Sequence, residues 1–494
     1  MAFFFVWAAC LLYWSILLRG IPYFSYFNNI FWFFAAFLTL AVVGVQYMLY
    51  KNIAIEKIFL LIAISVGLVY VFVLPPYTTS DEPFHIRTSY AYSNRMMFNE
   101  RDVVRGEDAS IGSGTFHRHP SIVDYHTFRE LLFVRTTNTD LEARYMRKHV
   151  EPFYLYFFSA VGVTVARILR FGVVPLLVTG RIFNLIFFVV STYFAIKLIP
   201  YGKMMLFSVA MFPMTIQLAS SFSPDAVING LAFLQIGCAF YLAYGKKNVY
   251  LHDIALFVCA SALLAGAKGG AYLPLVFLCF LIPKEKLTAN SVLQKLFHPF
   301  VLLCSFVSFM FFSLRRTFNV AVGDAGLAWE TYDIAFIITN PTAFLAMLFR
   351  TVAEHRFFLI GSAVGSALGW QEIPVNRIVI MLFLVVTILA AIIMREDIVK
   401  MPALHKWAIV FIIAASIGLV LLGLLVGWTE VGSGHIVGVQ GRYFIPLIPL
   451  GLLLLRSFFA TIKKDLTWAV VSSICILHVT TIGIVVRYIA GRYI

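Results

Sequence analysis

Charge is what this sequence has least of. Only 13% of its 494 residues are charged and 61% are hydrophobic, against roughly 25% and 45–50% in soluble domains. That shortage excludes a soluble globular chain and marks a polytopic membrane protein. Cysteine is scarce as well. The six present (Cys10, Cys238, Cys259, Cys279, Cys304 and Cys475) all lie inside apolar runs, with no CxxC and no Cys/His metal spacing. They read as small core residues and predict no disulfide. A phosphate-binding glycine loop, a low-complexity tract and a visible internal repeat are also missing. So is a cleavable signal: Phe3–Leu18 lacks a basic leading region and an Ala-x-Ala-type site, and reads as a retained first helix.

The net charge of +14 resembles a nucleic-acid signal, but the basic residues sit in short clusters between apolar runs. That pattern suits membrane topology, so nucleic acid is excluded as a partner. Thirteen candidate spans are expected: 3–18, 31–50, 58–74, 181–199, 204–219, 225–245, 251–267, 270–282, 299–313, 375–394, 407–427, 443–460 and 468–489. A crossing needs about 20 apolar residues, so 3–18 and 270–282 are short. Stretches 153–170 and 335–369 are ambiguous. Thirteen of the fifteen lysines lie in the loops at 51–57, 197–203, 246–247, 284–295, 400–406 and 463–464. All fall on one side if the ambiguous stretches make no net crossing. The positive-inside rule then puts the N-terminus in the cytoplasm and the C-terminus outside. If 153–170 spans instead, the downstream half inverts. The expected division is 1–50 as two N-terminal helices and 51–494 as the main transmembrane domain.

On the first topology the long stretch 75–152 lies outside. It holds 11 of the 24 acids and 5 of the 11 histidines. Loops this long are seldom plain connectors, and its aromatic residues suit an ordered cap on the membrane. The spacing predicts interfacial helices over Asp124–Leu132 and Leu141–Val150.

Chemistry-bearing residues concentrate on that outer face. Asp81 and Glu82 follow the early span directly. Carboxylates near hydrocarbon are costly, and one placed there acts as a general base or a metal ligand. They also fit a helix cap, since Asp-Glu-Pro is a good cap-then-Pro start. His85 falls on the same helix face, or is simply a hydrogen-bonded interfacial histidine. Asp225, in a Ser-rich break between spans, either caps the next helix or faces the same cavity as Asp81 together with Asn229. Arg442, between Gln440-Gly441 and Tyr443-Phe444, can hold a phosphate in a fork or snorkel to headgroups. Gln440 and Tyr443 flank it as candidate binding residues. Lys268 is one of only two lysines expected outside and is a second candidate for phosphate. The His117-Arg118-His119 knot is a weak metal motif.

Three stretches carry a family resemblance: Asp81-Glu82-Pro83-Phe84-His85, Phe212-Pro213-Met214 through Asn229, and Gln440 through Leu447. Together, in this order and over roughly 58–490, the chain resembles a bacterial family of predicted polytopic membrane proteins usually placed with the GT-C glycosyltransferases. Two departures stand out: Ser80 where the family tends to have Pro, and Glu151-Pro152-Phe153-Tyr154 where a His-Pro-Pro-type start is common. The resemblance implies an all-α, GT-C-like fold in the plasma membrane. It implies inverting transfer of a sugar from a polyprenyl-phosphate donor to an outer-face glycan, polymer or lipid acceptor. Asp81 maps to the general base, Glu82 or Asp225 to its support, and Arg442 and Lys268 to the carrier phosphate. No cofactor is assigned, although a divalent cation is compatible with the acids. A polymerase or ligase using diphosphate-linked glycans shares the outer-face site and the phosphate-binding arginine, and differs only in its donor. A transporter is the remaining alternative, disfavoured because the charges cluster at one face and not in mid-span.

Overall fold

The computed structural model describes residues 2–21, 28–100, 102–110, 116–143, 152–245, 249–287, 291–314, 329–392, 401–458 and 465–493. Helices dominate it. Among the described residues seven are long and apolar enough to cross a membrane: Asn29–Tyr50, Ile55–Val73, Val173–Leu198, Asp225–Tyr244, Gln294–Ser313, Ala403–Trp428 and Thr467–Ala490. The six other expected spans are shorter or broken. Residues 204–219 split into Lys203–Ala210 and Pro213–Ala219, because Pro213 offers no amide to continue the first helix. Residues 270–282 wind as a 3-10 helix over Leu273–Leu281. Residues 443–460 combine a 3-10 turn, Gly441–Leu447, with the short helix Ile448–Arg456. Helices Ala2–Arg19, Leu251–Ala265 and Arg377–Ile392 are regular but shorter than a typical crossing.

The ambiguous stretches form local structure. Phe157–Ile168 is a 12-residue helix, too short to cross. It presses onto Val173–Leu198 and onto the helix Glu82–Met96. Stretch 335–369 breaks at Asn340-Pro341 into Ile334–Thr339 and Pro341–Val364. The longer piece carries Arg350, Glu354, His355 and Arg356.

Asp225–Tyr244 is the central pillar, with 94% of its apolar window buried. Val173–Leu198 packs along it, and Ile55–Val73 packs on that helix in turn. Without a strong hydrophobic drive inside lipid, close packing of small residues must hold such helices together. A Cβ on Gly237 would meet the Ala195 backbone, and one on Gly162 would meet the Thr179 carbonyl. The N-terminal helices are not a free appendage. Ala2–Arg19 packs on Thr467–Ala490, with Trp14 against Gly483.

The long stretch 75–152 is ordered where it is described. It contains the helix Glu82–Met96, a hairpin pairing Val103–Arg105 with Leu141–Ala143, and the helix Ile122–Leu131. Ser121 and Asp124 form a capping box at the last of these. The helix expected over Leu141–Val150 is corrected at its start: Leu141–Ala143 is a strand, drawn into backbone pairing by Val103–Arg105, and 144–150 lie outside the described residues.

Candidate functional site

The site begins where Ile55–Val73 stops. Pro75 and Pro76 end the helix, and two non-glycine residues in the turn that follows take left-handed backbone, Tyr77 (φ 73°) and Asp81 (φ 60°). Such conformations cost about 1–3 kcal/mol and persist only where surroundings enforce them. Here Thr78 donates its hydroxyl to the Pro75 carbonyl at 2.8 Å, and the Glu82 amide donates to Thr79 at 3.0 Å. Asp81 occupies the N-cap position of Glu82–Met96, with Pro83 in the first turn, but its side chain makes no capping bond. The carboxylate turns instead toward Arg442, 3.5 Å from Nη2, and stays 40% exposed.

Glu82 behaves in the opposite way. It is fully buried and both carboxylate oxygens are committed. They accept from Arg181 Nε at 2.9 Å and Nη2 at 2.7 Å, from the Tyr77 amide at 3.0 Å and from the Phe222 amide at 3.3 Å. Of the roles expected for Glu82, these bonds fit support of Asp81 better than that of a general base. A carboxylate with four donors and no exposure has its accepting capacity spent on the protein.

Asp225 opens the central pillar. It forms an ion pair with Lys268 and lies 3.8 Å from Arg442 Nε. Lys268 reaches it from a tight turn in which Lys268, Gly269 and Gly270 all have positive φ (43°, 64° and 86°). Its ammonium also sits 4.5 Å from the centre of the Tyr443 ring, a cation–π contact. Tyr272 ties this turn to the next element by donating to the Tyr443 carbonyl at 2.9 Å. Arg442 is thus buried between Asp81, Asp225 and Tyr443. Burial works against its charge, but the tyrosine and the two acids more than offset this and hold the guanidinium above its ordinary pKa.

Gly441 explains why Arg442 can sit there. A Cβ at this position would collide with the Leu359 carbonyl and the Ala363 amide. The end of Pro341–Val364 thus lies directly on the chain, and the Gly441 amide donates to Ser362 Oγ at 3.0 Å. Two features leave hydrogen-bonding capacity over. Arg442 Nε has no hydrogen-bond partner, and neither amide atom of Asn229, one turn after Asp225, has one, although both residues are buried. Buried polar groups are ordinarily hydrogen-bonded, so these atoms mark spare capacity beside the ion-pair cluster.

The family model for predicted membrane proteins of the DUF2142 type matches residues 60–451. The chain belongs to the DUF2142 family. No curated protein and no solved structure matches it. The DUF2142 match contains Asp81, Glu82, Asp225, Lys268 and Arg442, and leaves the helices Ala2–Arg19 and Thr467–Ala490 outside.

Four of the candidate residues in this DUF2142 protein, Asp81, Asp225, Lys268 and Arg442, meet through ion-pair contacts, with Tyr443 against both cations. His85 is buried and faces elsewhere, its Nδ1 2.9 Å from the Tyr156 hydroxyl. Gln440 precedes the 3-10 turn and accepts the Tyr443 amide on its backbone carbonyl at 3.2 Å. The basic knot disperses: His117 pairs with Asp124 at 2.8 Å and His119 with Glu372 at 2.9 Å, while Arg118 stacks on Trp370. Among the described residues no three His, Cys, Asp or Glu side chains gather as a metal cluster. Sequence reasoning missed Arg181 and Asn184. The signal was present, because an arginine in an apolar helix needs a partner. It was hidden by placing the helix start at 181, whereas the helix begins at Val173.

Proposed function

We propose that this protein is a membrane glycosyltransferase that takes a sugar from a polyprenyl-phosphate carrier and passes it to a hydroxyl acceptor at the outer membrane surface. The observation that carries this reading is Arg442, buried between the two acids Asp81 and Asp225 with Lys268 on the second. A guanidinium and an ammonium converging from separate segments suit a lipid phosphate, which a fork-shaped donor grips bidentately. A partly exposed carboxylate held without a capping bond suits a hydroxyl nucleophile.

In this mechanism the carrier phosphate takes over Arg442 and Lys268, which frees the carboxylates from their cations. Asp81 then accepts the proton as the acceptor oxygen bonds to the anomeric carbon. The bond from that carbon to the phosphate oxygen breaks, and its electrons leave on the phosphate. Because the attack comes from the opposite side, the product is inverted. The two cations stabilise the charge that develops on the leaving group, so the leaving group needs no separate acid. Asn229 is available to hold a sugar or phosphate oxygen. The second cation equally favours a diphosphate-linked glycan donor, as used by a polymerase or ligase.

The test is a donor screen: purified protein with polyprenyl-monophosphate sugars and diphosphate-linked glycans, with and without divalent cation. Transfer from one donor class, abolished in Asp81→Asn, is the expected result. Absence of transfer from every donor, or undiminished turnover by Asp81→Asn, overturns the reading. Solute flux through proteoliposomes without consumption of any donor would favour a transporter.

A further inference from the structure

We infer that Arg181 and Asn184 are positioning residues that fix the two acids, Asp81 and Asp225, relative to one another from beneath. This inference rests on the glycosyltransferase reading and adds the device that sets its geometry. Both residues belong to Val173–Leu198 and lie three apart, hence on one helix face. Arg181 spends all five of its donors. Nε and Nη2 grip the Glu82 carboxylate, Nη1 donates to the Val71 and Leu74 carbonyls at 3.2 and 2.6 Å, and Nη2 also reaches Pro75 at 3.1 Å. It thus ties down the whole turn that ends in Asp81.

Glu82 carries the tie across. Its carboxylate accepts the Tyr77 amide on one side and the Phe222 amide on the other. Phe222 lies three residues before Asp225. Asn184 completes the second tie by donating to the Ser221 and Ser223 carbonyls at 2.8 and 3.0 Å. One helix face therefore holds both loops, and each loop delivers one acid. A fully buried ion pair is weak evidence for stability. Here the donors and acceptors the pair does not spend on itself go to backbone at the end of Ile55–Val73, in the turn after it and at Phe222, which is what a positional role requires. The left-handed backbone at Asp81 shows that the turn is enforced and not relaxed.

The experiment uses the full-length protein in nanodiscs and three variants, Asn184→Ala, Arg181→Lys and Asp81→Asn. It reads donor KM, kcat, polyprenyl-phosphate binding, and hydrogen exchange of residues 75–82 and 220–225. Asn184→Ala and Arg181→Lys are expected to lower kcat by about tenfold or more, as small misplacements of reacting groups do. Donor KM and carrier binding should stay within about threefold, because Arg442 and Lys268 are untouched. Exchange should rise in both loops together in Arg181→Lys, whereas Asp81→Asn should lose kcat with no change in exchange. Wild-type kcat in folded Asn184→Ala and Arg181→Lys overturns the inference, as does loosening of only one loop in Arg181→Lys. If the wild-type protein transfers no sugar, the parent reading fails, and exchange in the two loops still decides whether they are tied.

Discussion

At the scale of single residues, adjacent acids have opposite fates. Asp81 and Glu82 are chemically near-identical, yet one is 40% exposed beside Arg442 and the other is sealed against Arg181. The difference is backbone geometry. The left-handed turn at Asp81 rotates its side chain out of the cap position, while Glu82, on the first helical turn, points back under the loop. Asp81→Asn should therefore fold normally, with a thermal midpoint within a few degrees of wild type, and lose transfer. Glu82→Gln should do the reverse of a clean catalytic variant. It leaves the buried guanidinium without its counter-charge, and breaking a buried pair costs about 3–5 kcal/mol. A large drop in thermal midpoint in detergent checks this. Glu107 provides a pH test outside the membrane. Hydrogen bonds from Thr136, Asn138 and Thr137 hold its carboxyl down at about 2. A depressed carboxyl contributes stability that is present above the unfolded value, roughly 4.3, and is lost as pH falls through about 2. Pepsin digestion should therefore spare the 103–143 hairpin region at pH 4 and cut it near pH 2, whereas Glu107→Gln should be cut at both.

At the scale of elements, the irregular pieces do the positioning. The turn Lys268–Gly270 and the 3-10 turn Gly441–Leu447 straddle the expected starts of the spans 270–282 and 443–460, and each bends to present a cation just before the span. Gly441→Ala is expected to cost about 1–3 kcal/mol, the usual range for overpacking. The colliding atoms are backbone of Pro341–Val364 and cannot rotate away. Carrier-phosphate binding should fall with stability, measured by ligand-dependent thermal shift. The sequence motifs at both places named the candidate cation and not the reason for its neighbour. A glycine before an arginine is a composition; the helix end resting on it is a tertiary fact.

At the scale of the whole molecule, contact between Asp81 and Arg442 requires the 75–82 turn and the 440–443 turn to share one membrane face, however many crossings separate them. Thr137→Cys and Val431→Cys, both at exposed positions, should label from the same side with a membrane-impermeant maleimide. Asn52→Cys, at the other end of Ile55–Val73, should be protected in intact cells. Labelling of 137 and 431 from opposite sides contradicts the fold. The sequence by itself determined the membrane class and marked 75–152 as more than a plain connector, because hydropathy and residue type are local properties. Of its thirteen expected spans, seven coincide with long apolar helices and three with regular but shorter ones, while 204–219, 270–282 and 443–460 are broken or 3-10 segments, because apolar composition does not distinguish a straight crossing from an irregular segment buried in protein. Only the tertiary structure decided which acid faces the site and which is locked beneath it. That choice depends on a backbone angle at Asp81 and on an arginine 99 residues away from Glu82, and neither is written in the local pattern.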